Sequence, residues 1–370
     1  MGQAVISIVG GGVAGLLSAY LLAEVGCRVS LYERSECGGE SSWAGGGIIS
    51  PLYPWRYNSA VWALARNSKE SYAVLSASLS KSVGVDIELY STGLYWLDLE
   101  DSIRALAWAA DERLSLSALG CDDLIVALPM VAPSYCSAGL HMRGVANVRN
   151  PYLLQALRSF LRATPNVCLY ENAQVERLVS VGGRISGVVV DNQFVASDQV
   201  LLAAGAWSGE LLATLGLHLP VEPVKGQMIL YKCEPDYLPA MVLAEGRYAI
   251  PRRDGHVLVG STLEHVGFDK TPTGEALASL KASAERMLPG LAQREVVGHW
   301  AGLRPGSPEG IPFIGEVPQY PGLWLNCGHY RNGLVLAPAS CELLKNLMLG
   351  EAPIVDPAPY DPAGRLCPSS

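Results

Sequence analysis

No stretch of this chain is dense in lysine or arginine. Its 27 basic and 35 acidic residues leave a formal net charge of -8, which offers no track for a phosphate backbone and argues against a nucleic-acid partner. No apolar run reaches the roughly 18 residues that a membrane span would need. A core-like strand begins almost at once, unlike a signal peptide, and Ile6 stands where a myristoylation motif after Met1-Gly2 wants Ser or Thr. The nine cysteines are odd in number and never form Cys-x-x-Cys, so free buried thiols in a reducing, cytoplasmic setting are expected. The six histidines are dispersed, and no metal site is expected. Gly-Lys-Ser/Thr, Gly-x-Ser-x-Gly and His-Glu-x-x-His are all missing, which removes the signatures of P-loop, serine-hydrolase and zinc-protease chemistry.

What is present suffices for sizeable cores. At 370 residues, 49% hydrophobic and 17% charged, the chain predicts two domains. Its organising stretch is Ala4 to Glu33. The apolar run Ala4 to Val9 leads into Gly10-Gly11-Gly12-Val13-Ala14-Gly15. A helical stripe of Leu16, Leu17, Tyr20, Leu21 and Val25 follows, stopped by Gly26, and Arg28 to Tyr32 reads as a second strand with Glu33 at its end. This is a dinucleotide fingerprint in its proper context. Gly10 permits the tight turn, Gly12 a close approach to a pyrophosphate, and Gly15 close helix–strand packing, while amides at the helix start face the phosphates. A carboxylate at Glu33 would hold ribose hydroxyls and repel a 2′-phosphate, so the ligand is FAD or NAD rather than NADP.

Further along, Gly38 to Gly47 can lie flat against a planar ligand, and the apolar Ile48-Ile49 follows it. One helix is predicted over Ser59 to Ser82, strand pieces over Val85 to Tyr90 and Gly93 to Leu97, and a helix over Ser102 to Ala118. A polar connection then carries the chain to His141. Asn150 is expected to cap a helix over Pro151 to Ala163. Four strands between Val167 and Ala196 follow, with Val175 placed to meet an adenine. The buried run Val200 to Gly205 would end where a cofactor passes close. Strands between Val221 and Gly260, a helix over Thr273 to Met287 and a strand over Glu295 to Trp300 suggest an antiparallel sheet on the substrate side. Ala301 to Pro308 reads as a turn-rich loop carrying Arg304. A strand over Leu323 to Cys327 precedes Gly328-His329-Tyr330-Arg331-Asn332-Gly333, which opens a helix to Leu349. The Pro-rich tail after Gly350 is expected to be loose.

The fingerprint with Glu33, Glu222-Pro223-Val224-Lys225-Gly226-Gln227, Trp300-Ala301-Gly302-Leu303-Arg304-Pro305-Gly306, and the Gly328 to Gly333 motif with Ala337-Pro338 together resemble the glycine oxidase branch of the D-amino acid oxidase family. The resemblance implies an α/β fold in which a Rossmann-like FAD-binding domain (1–82, 145–220 and 302–350) is interleaved with an antiparallel-sheet substrate domain (83–144 and 221–301), residues 351–370 forming a tail. It places FAD contacts on Val13, Ala14, Glu33, Arg34, Ser41, Ser42, Gly46, Gly47, Ile48, Val175, His329, Tyr330, Arg331, Asn332, Gly333, Leu334 and Val335, beside the glycines and Gly205. The substrate carboxylate would pair with Arg304, with Arg331 beside it and Tyr248 closing the pocket. Ile48 would line that pocket, as would Leu263, where the family pattern has a methionine; Gly246 replaces a histidine of the pattern. Ser307 stands near where a flavin-attaching cysteine would be expected, so the FAD would be non-covalent. A homotetramer and a role in thiamine synthesis are further implications.

The residues agree with this. A carboxylate in a dry pocket suits the bidentate fork of an arginine, although Arg304 could instead pin its loop through an internal salt bridge. Arg331 could simply order its loop, Tyr248 could be a core residue, and His329 is read as packing on the flavin rather than moving protons. The implied reaction is oxidative deamination of glycine, sarcosine or D-alanine by hydride transfer to flavin N5. Molecular oxygen would be reduced to hydrogen peroxide, and glycine would yield glyoxylate and ammonia. A D-amino acid or secondary-amine dehydrogenase feeding a quinone, and a non-catalytic flavin module, are the alternatives.

Overall fold

The computed structural model describes residues 4–97 and 99–368; the Met1-Gly2 start lies outside them. Two large sheets carry the architecture. The first has six strands in the order Phe313–Glu316, Leu323–Cys327, Gln199–Leu202, Val5–Val9, Arg28–Tyr32 and Val167–Tyr170. All its pairings are parallel except that of Phe313–Glu316, which runs antiparallel at one edge. Parallel strands here are hydrophobic on both faces because both are covered. The helices Val13–Glu24, Asn150–Ala163 and Gly333–Leu349 share one core with this sheet through Ile8, Leu16, Leu157 and Leu336.

The second sheet has eight strands, ordered Val296–Gly306, Glu222–Tyr231, Val257–Gly260, Arg247–Pro251, Met241–Ala244, Leu94–Leu97, Ala138–Met142 and Ser117–Gly120. It is antiparallel apart from the pairing of Met241–Ala244 with Leu94–Leu97. A three-stranded sheet of Val175–Val181, Arg184–Val190 and Gln193–Ala196 packs beside the first.

Several expectations from the sequence are corrected. The long helix is two, Ser59–Ala65 and Ser68–Val83. Asn67 has φ -107° and ψ 15°, outside helical geometry, between them. The helix from Ser102 stops at Asp111, and Ser117–Gly120 becomes an edge strand. Of the strand expected over Val85 to Tyr90 only Tyr90–Ser91 pairs, and the connection to His141 includes the helix Cys121–Ala127. Asn150 does not cap its helix; it is fully buried and reaches back to the glycine-rich segment. Arg304 sits in no loop. Val296–Gly306 is one continuous strand, paired along its length with Glu222–Tyr231, so the boundary expected between 301 and 302 falls inside it. Pro305 is tolerated because this is an edge strand of the sheet.

The tail is not loose either. Cys367–Pro368 pairs with Leu217–His218, Arg365 donates to the carbonyls of Ile311 and Pro312, and Tyr360, 1% exposed, donates its hydroxyl to Ala60 O at 2.7 Å. Burying an aromatic ring outweighs the order imposed on a proline-rich segment. Tyr360→Ala is therefore expected to lower unfolding stability by about 3–5 kcal/mol, measured by urea denaturation against the parent chain.

Candidate active site

A single cleft runs from the fingerprint, between the two large sheets, to Arg304. At its far end Gly10 adopts φ +108° and donates its N–H to Tyr32 O at 2.9 Å; a Cβ there would stand 2.5 Å from Ala203 O. Gly12, Val13 and Ala14 line the cleft, whereas Gly15 lies beneath the turn, where a Cβ would overlap Gly10 O. Glu33 is buried at the end of its strand. One of its carboxylate oxygens accepts the Gly11 N–H at 2.8 Å, the other the Ser35 N–H at 3.0 Å and the Ser35 hydroxyl at 3.1 Å. The acid thus braces the turn as well as facing the cleft.

Arg34 lies 3.6 Å above the Trp207 ring and pairs with Glu40 at 2.8 Å. Val175 and Gly205 line the same end.

The glycine-rich segment includes a short helical turn, Ser41–Ala44, where the sequence reading expected loop throughout. Its carbonyl groups are taken one after another. Asn150 Nδ2 donates to Ser42 O and Gly45 O, Trp300 Nε1 to Ala44 O, and Arg252 Nη2 to Gly46 O. The Val148 N–H donates to Gly47 O. Ser42 Oγ accepts the Val13 N–H at 2.9 Å, and Ser41 Oγ donates to Leu303 O at 2.7 Å. The segment therefore ties the fingerprint helix to the strand that bears Arg304. Arg252 is 7% exposed, and burial pushes its guanidinium down to about 10. Sequence reasoning missed both Arg252 and Asn150; Arg252-Arg253 after an apolar strand was the available signal for the first.

At the near end, Arg304 Nη2 donates to Ser261 Oγ at 2.7 Å, and Nη1 to Thr262 O at 3.2 Å and Lys225 O at 3.3 Å. All three acceptors are neutral, and no carboxylate pairs with Arg304 among the described residues. The internal salt bridge considered for it is absent from that set. Burial lowers its pKa, and the positive charge of nearby Arg331 adds to the effect. The guanidinium lies flat on the neighbouring strand because residue 226 is glycine; a Cβ there would overlap it.

Tyr248, 6% exposed, directs its hydroxyl to Met228 Sδ at 3.2 Å, and both face the cleft with Ile48 and Arg331. Leu263 does not. It is 48% exposed and outside the cleft wall, because the chain leaves the sheet after Gly260 and presents Ser261 to Arg304 instead. Met228 and Ser261 line the cleft beside Arg304 and were not named from the sequence.

Residues His329 through Val335 line the cleft's long side, Gly333 opening the helix Gly333–Leu349. Among the described residues, the buried Asn332 Nδ2 there has no protein acceptor and the buried Asn326 Oδ1 no protein donor. His329 is 4% exposed, its Nε2 lies 3.2 Å from Ser340 Oγ, and burial pushes its pKa down to about 4. It is neutral at neutral pH.

The chain matches the family model described as FAD dependent oxidoreductase over residues 6–347. It is 61% identical over 361 residues to the glycine oxidase of Pseudomonas putida, covering 98% of this chain and 99% of that one. To the glycine oxidase of Pseudomonas aeruginosa it is 59% identical over the same shares. The crystal structure of glycine oxidase from Geobacillus kaustophilus superposes with a TM-score of 0.91 at 28% identity, covering 97% of this chain and 98% of that one.

The buried, neutral His329 yields a pH prediction. Above the ordinary histidine range both folded and unfolded chains carry it neutral. As pH falls from about 6.5 towards 4, only the unfolded chain takes up the proton, so folding stability drops through that window. The stability advantage of the parent over His329→Asn should shrink by up to about 3 kcal/mol between pH 7 and pH 4, as read by denaturant unfolding at each pH.

Proposed function

The chain belongs to the FAD-dependent oxidoreductase family and is an FAD-dependent amino acid oxidase, and from that premise we propose that it deaminates glycine and related small amines with oxygen as the electron acceptor. Glyoxylate, ammonia and hydrogen peroxide are the products of this reading with glycine. One observation carries it: a half-buried guanidinium, Arg304, whose acceptors among the described residues are all neutral oxygens, faces the same cleft as the dinucleotide fingerprint. A cation so placed favours a carboxylate ligand.

The residues present fit FAD. The glycine turn and the start of the helix Val13–Glu24 suit a pyrophosphate, and Glu33 keeps acceptor capacity for ribose hydroxyls. The unpaired amide of Asn332 and the start of the helix Gly333–Leu349 offer donors along the side of the cleft. In this assignment Val13, Ala14, Glu33, Arg34, Ser41, Ser42, Gly46, Gly47, Val175 and His329 to Val335 hold the cofactor. The sheet containing Val5–Val9 carries its nucleotide and the sheet containing Arg247–Pro251 faces the substrate. No cysteine lies at position 307, in keeping with non-covalent binding.

Bound FAD supplies the acceptor for a hydride from the substrate carbon. The chain's own task is orientation. Arg304 fixes the carboxylate with two parallel N–H donors, and Arg331 adds positive charge at the same end. Tyr248, Met228 and Ile48 form an apolar wall that excludes water and so strengthens that pairing. His329 does not serve as a proton relay, being held neutral by burial and facing Ser340. The amine must therefore arrive unprotonated or lose its proton to solvent.

Arg304→Ala should raise KM for glycine by about a hundredfold to a thousandfold, the equivalent of leaving a buried charge unpaired at about 3–5 kcal/mol. Steady-state oxygen uptake with glycine measures it. Flavin bleaching by glycine under nitrogen without oxygen uptake in air would transfer the electrons to another acceptor and refute the oxidase reading. If glycine, sarcosine and D-alanine all fail to bleach the flavin, the substrate assignment falls.

A further inference from the structure

Lys225 and Gln227 alternate with Gly226 and Met228 along the strand Glu222–Tyr231, so while the second pair faces the cleft the first pair points to the opposite side. Both polar side chains are nevertheless buried, at 1% and 0% exposure. Burying two polar groups behind a binding wall costs stability unless every partner is supplied. The partners come almost wholly from one segment, Thr262 to Thr273. Gln227 Nε2 donates to Glu264 Oε1 at 2.9 Å, and its Oε1 accepts the Thr273 N–H at 2.9 Å and lies 3.0 Å from His299 Nε2. Lys225 Nζ reaches Asp269 at 3.2 Å and Glu264 at 3.8 Å. The Thr262 hydroxyl accepts the Gln227 N–H at 2.9 Å and donates to Glu264 Oε1.

Two of the three acceptors that hold Arg304 sit at the start of that segment and just before it: Thr262 O and Ser261 Oγ. The third, Lys225 O, is on the strand itself. Thr262 and Lys225, whose carbonyls hold Nη1, thus also carry side chains of the hidden network, Ser261 adjoins Thr262 in the chain, and none of the network side chains touches the cleft.

We propose that Thr262 and Gln227 are positioning residues for substrate binding, aiming the Arg304 guanidinium from behind the cleft wall. This rests on the reading of Arg304 as the carboxylate partner. Bidentate recognition tolerates little angular error, so loosening the acceptors weakens carboxylate binding in ground and transition state alike. The signature is a raised KM with kcat nearly unchanged.

The test uses the FAD-loaded enzyme. Thr262→Val is nearly isosteric and deletes the hydroxyl; Thr262→Ser keeps it; Gln227→Leu removes the amide. For each, KM and kcat with glycine are measured, together with the Kd of acetate, a carboxylate without an amine, from the perturbation of the flavin spectrum. Thr262→Val and Gln227→Leu are expected to raise KM and acetate Kd each by about tenfold, with kcat within about threefold, and Thr262→Ser to restore parent values. A folded, flavin-bound Thr262→Val with parent KM and parent acetate Kd overturns the proposal, as does a loss confined to kcat. Arg304→Ala in the same assay separates the two levels. If it binds acetate as tightly as the parent, the carboxylate reading itself is wrong; if it loses acetate while Thr262→Val and Gln227→Leu keep it, only the positioning role is.

Discussion

A backbone segment that joins no sheet and forms only one short helical turn cannot pair its carbonyl groups within itself, and the glycine-rich stretch from Ser42 to Gly47 lies against the helix Asn150–Ala163 and the strand Val296–Gly306. Buried carbonyls must be paired, and here the pairing comes from four places in the chain. Asn150 takes two carbonyls, Trp300 and Arg252 one each, and the Val148 amide another. These donors belong to elements on both sides of the cleft. The satisfaction of one segment's carbonyls therefore also ties elements packed on the six-stranded sheet to strands of the eight-stranded sheet around a common cavity. Loss of one donor would leave an acceptor buried and unpaired, a cost of about 1–3 kcal/mol, at the place where the two halves of the site meet.

Charge is distributed with the same economy. The chain is acidic overall, and its cleft carries both signs, with Glu33, Glu40, Glu176 and Glu210 lining it beside Arg34, Arg304 and Arg331. Arg304 and Arg331 face it, while Glu33 faces it from the far end, where its carboxylate is occupied by Gly11 and Ser35. Separation along one cleft keeps the acid from neutralising the cation. An arginine left with neutral acceptors is less stable folded than one in a salt bridge. On the proposed function, that deficit is what a carboxylate ligand would relieve.

The sequence disclosed the parts whose physics is local. The fingerprint, its helix and Glu33 lie where the spacing put them, and the strands at Arg184 to Val190 and Leu323 to Cys327 carry the bounds read from their β-branched and apolar runs. Errors arose where tertiary contact overrides local preference. Gly302, Pro305 and Gly306 read as a turn, but Gly302 is small because a Cβ would stand 2.6 Å from Ala44 Cβ, and the prolines Pro223 and Pro305 face one another in register. The tail's prolines suggested disorder, and no local signal announces that Tyr360 is buried against Ala60. Asn150 looked like a cap because its neighbour is proline, whereas its partners lie more than a hundred residues earlier in the chain.

The Arg304 end of the cleft is shaped by residues that lack a side chain. Three glycines from separate elements make room for it. A Cβ at 226 would overlap the Arg304 guanidinium, one at 46 would stand 2.8 Å from Ile250 Cδ1 and 3.3 Å from the Tyr248 ring, and one at 260 would lie 2.9 Å from the Tyr248 hydroxyl. Each absence admits a neighbouring side chain to a position it could not otherwise take. Together they hold the ring and the guanidinium by contact with backbone, which has fewer alternatives than side chains do. Rigid walls of this kind discriminate by shape, since a ligand too large for the space cannot be relieved by rotating a side chain away. The shape of the cleft therefore depends on three Cβ atoms that are missing as much as on the ring and the guanidinium they admit.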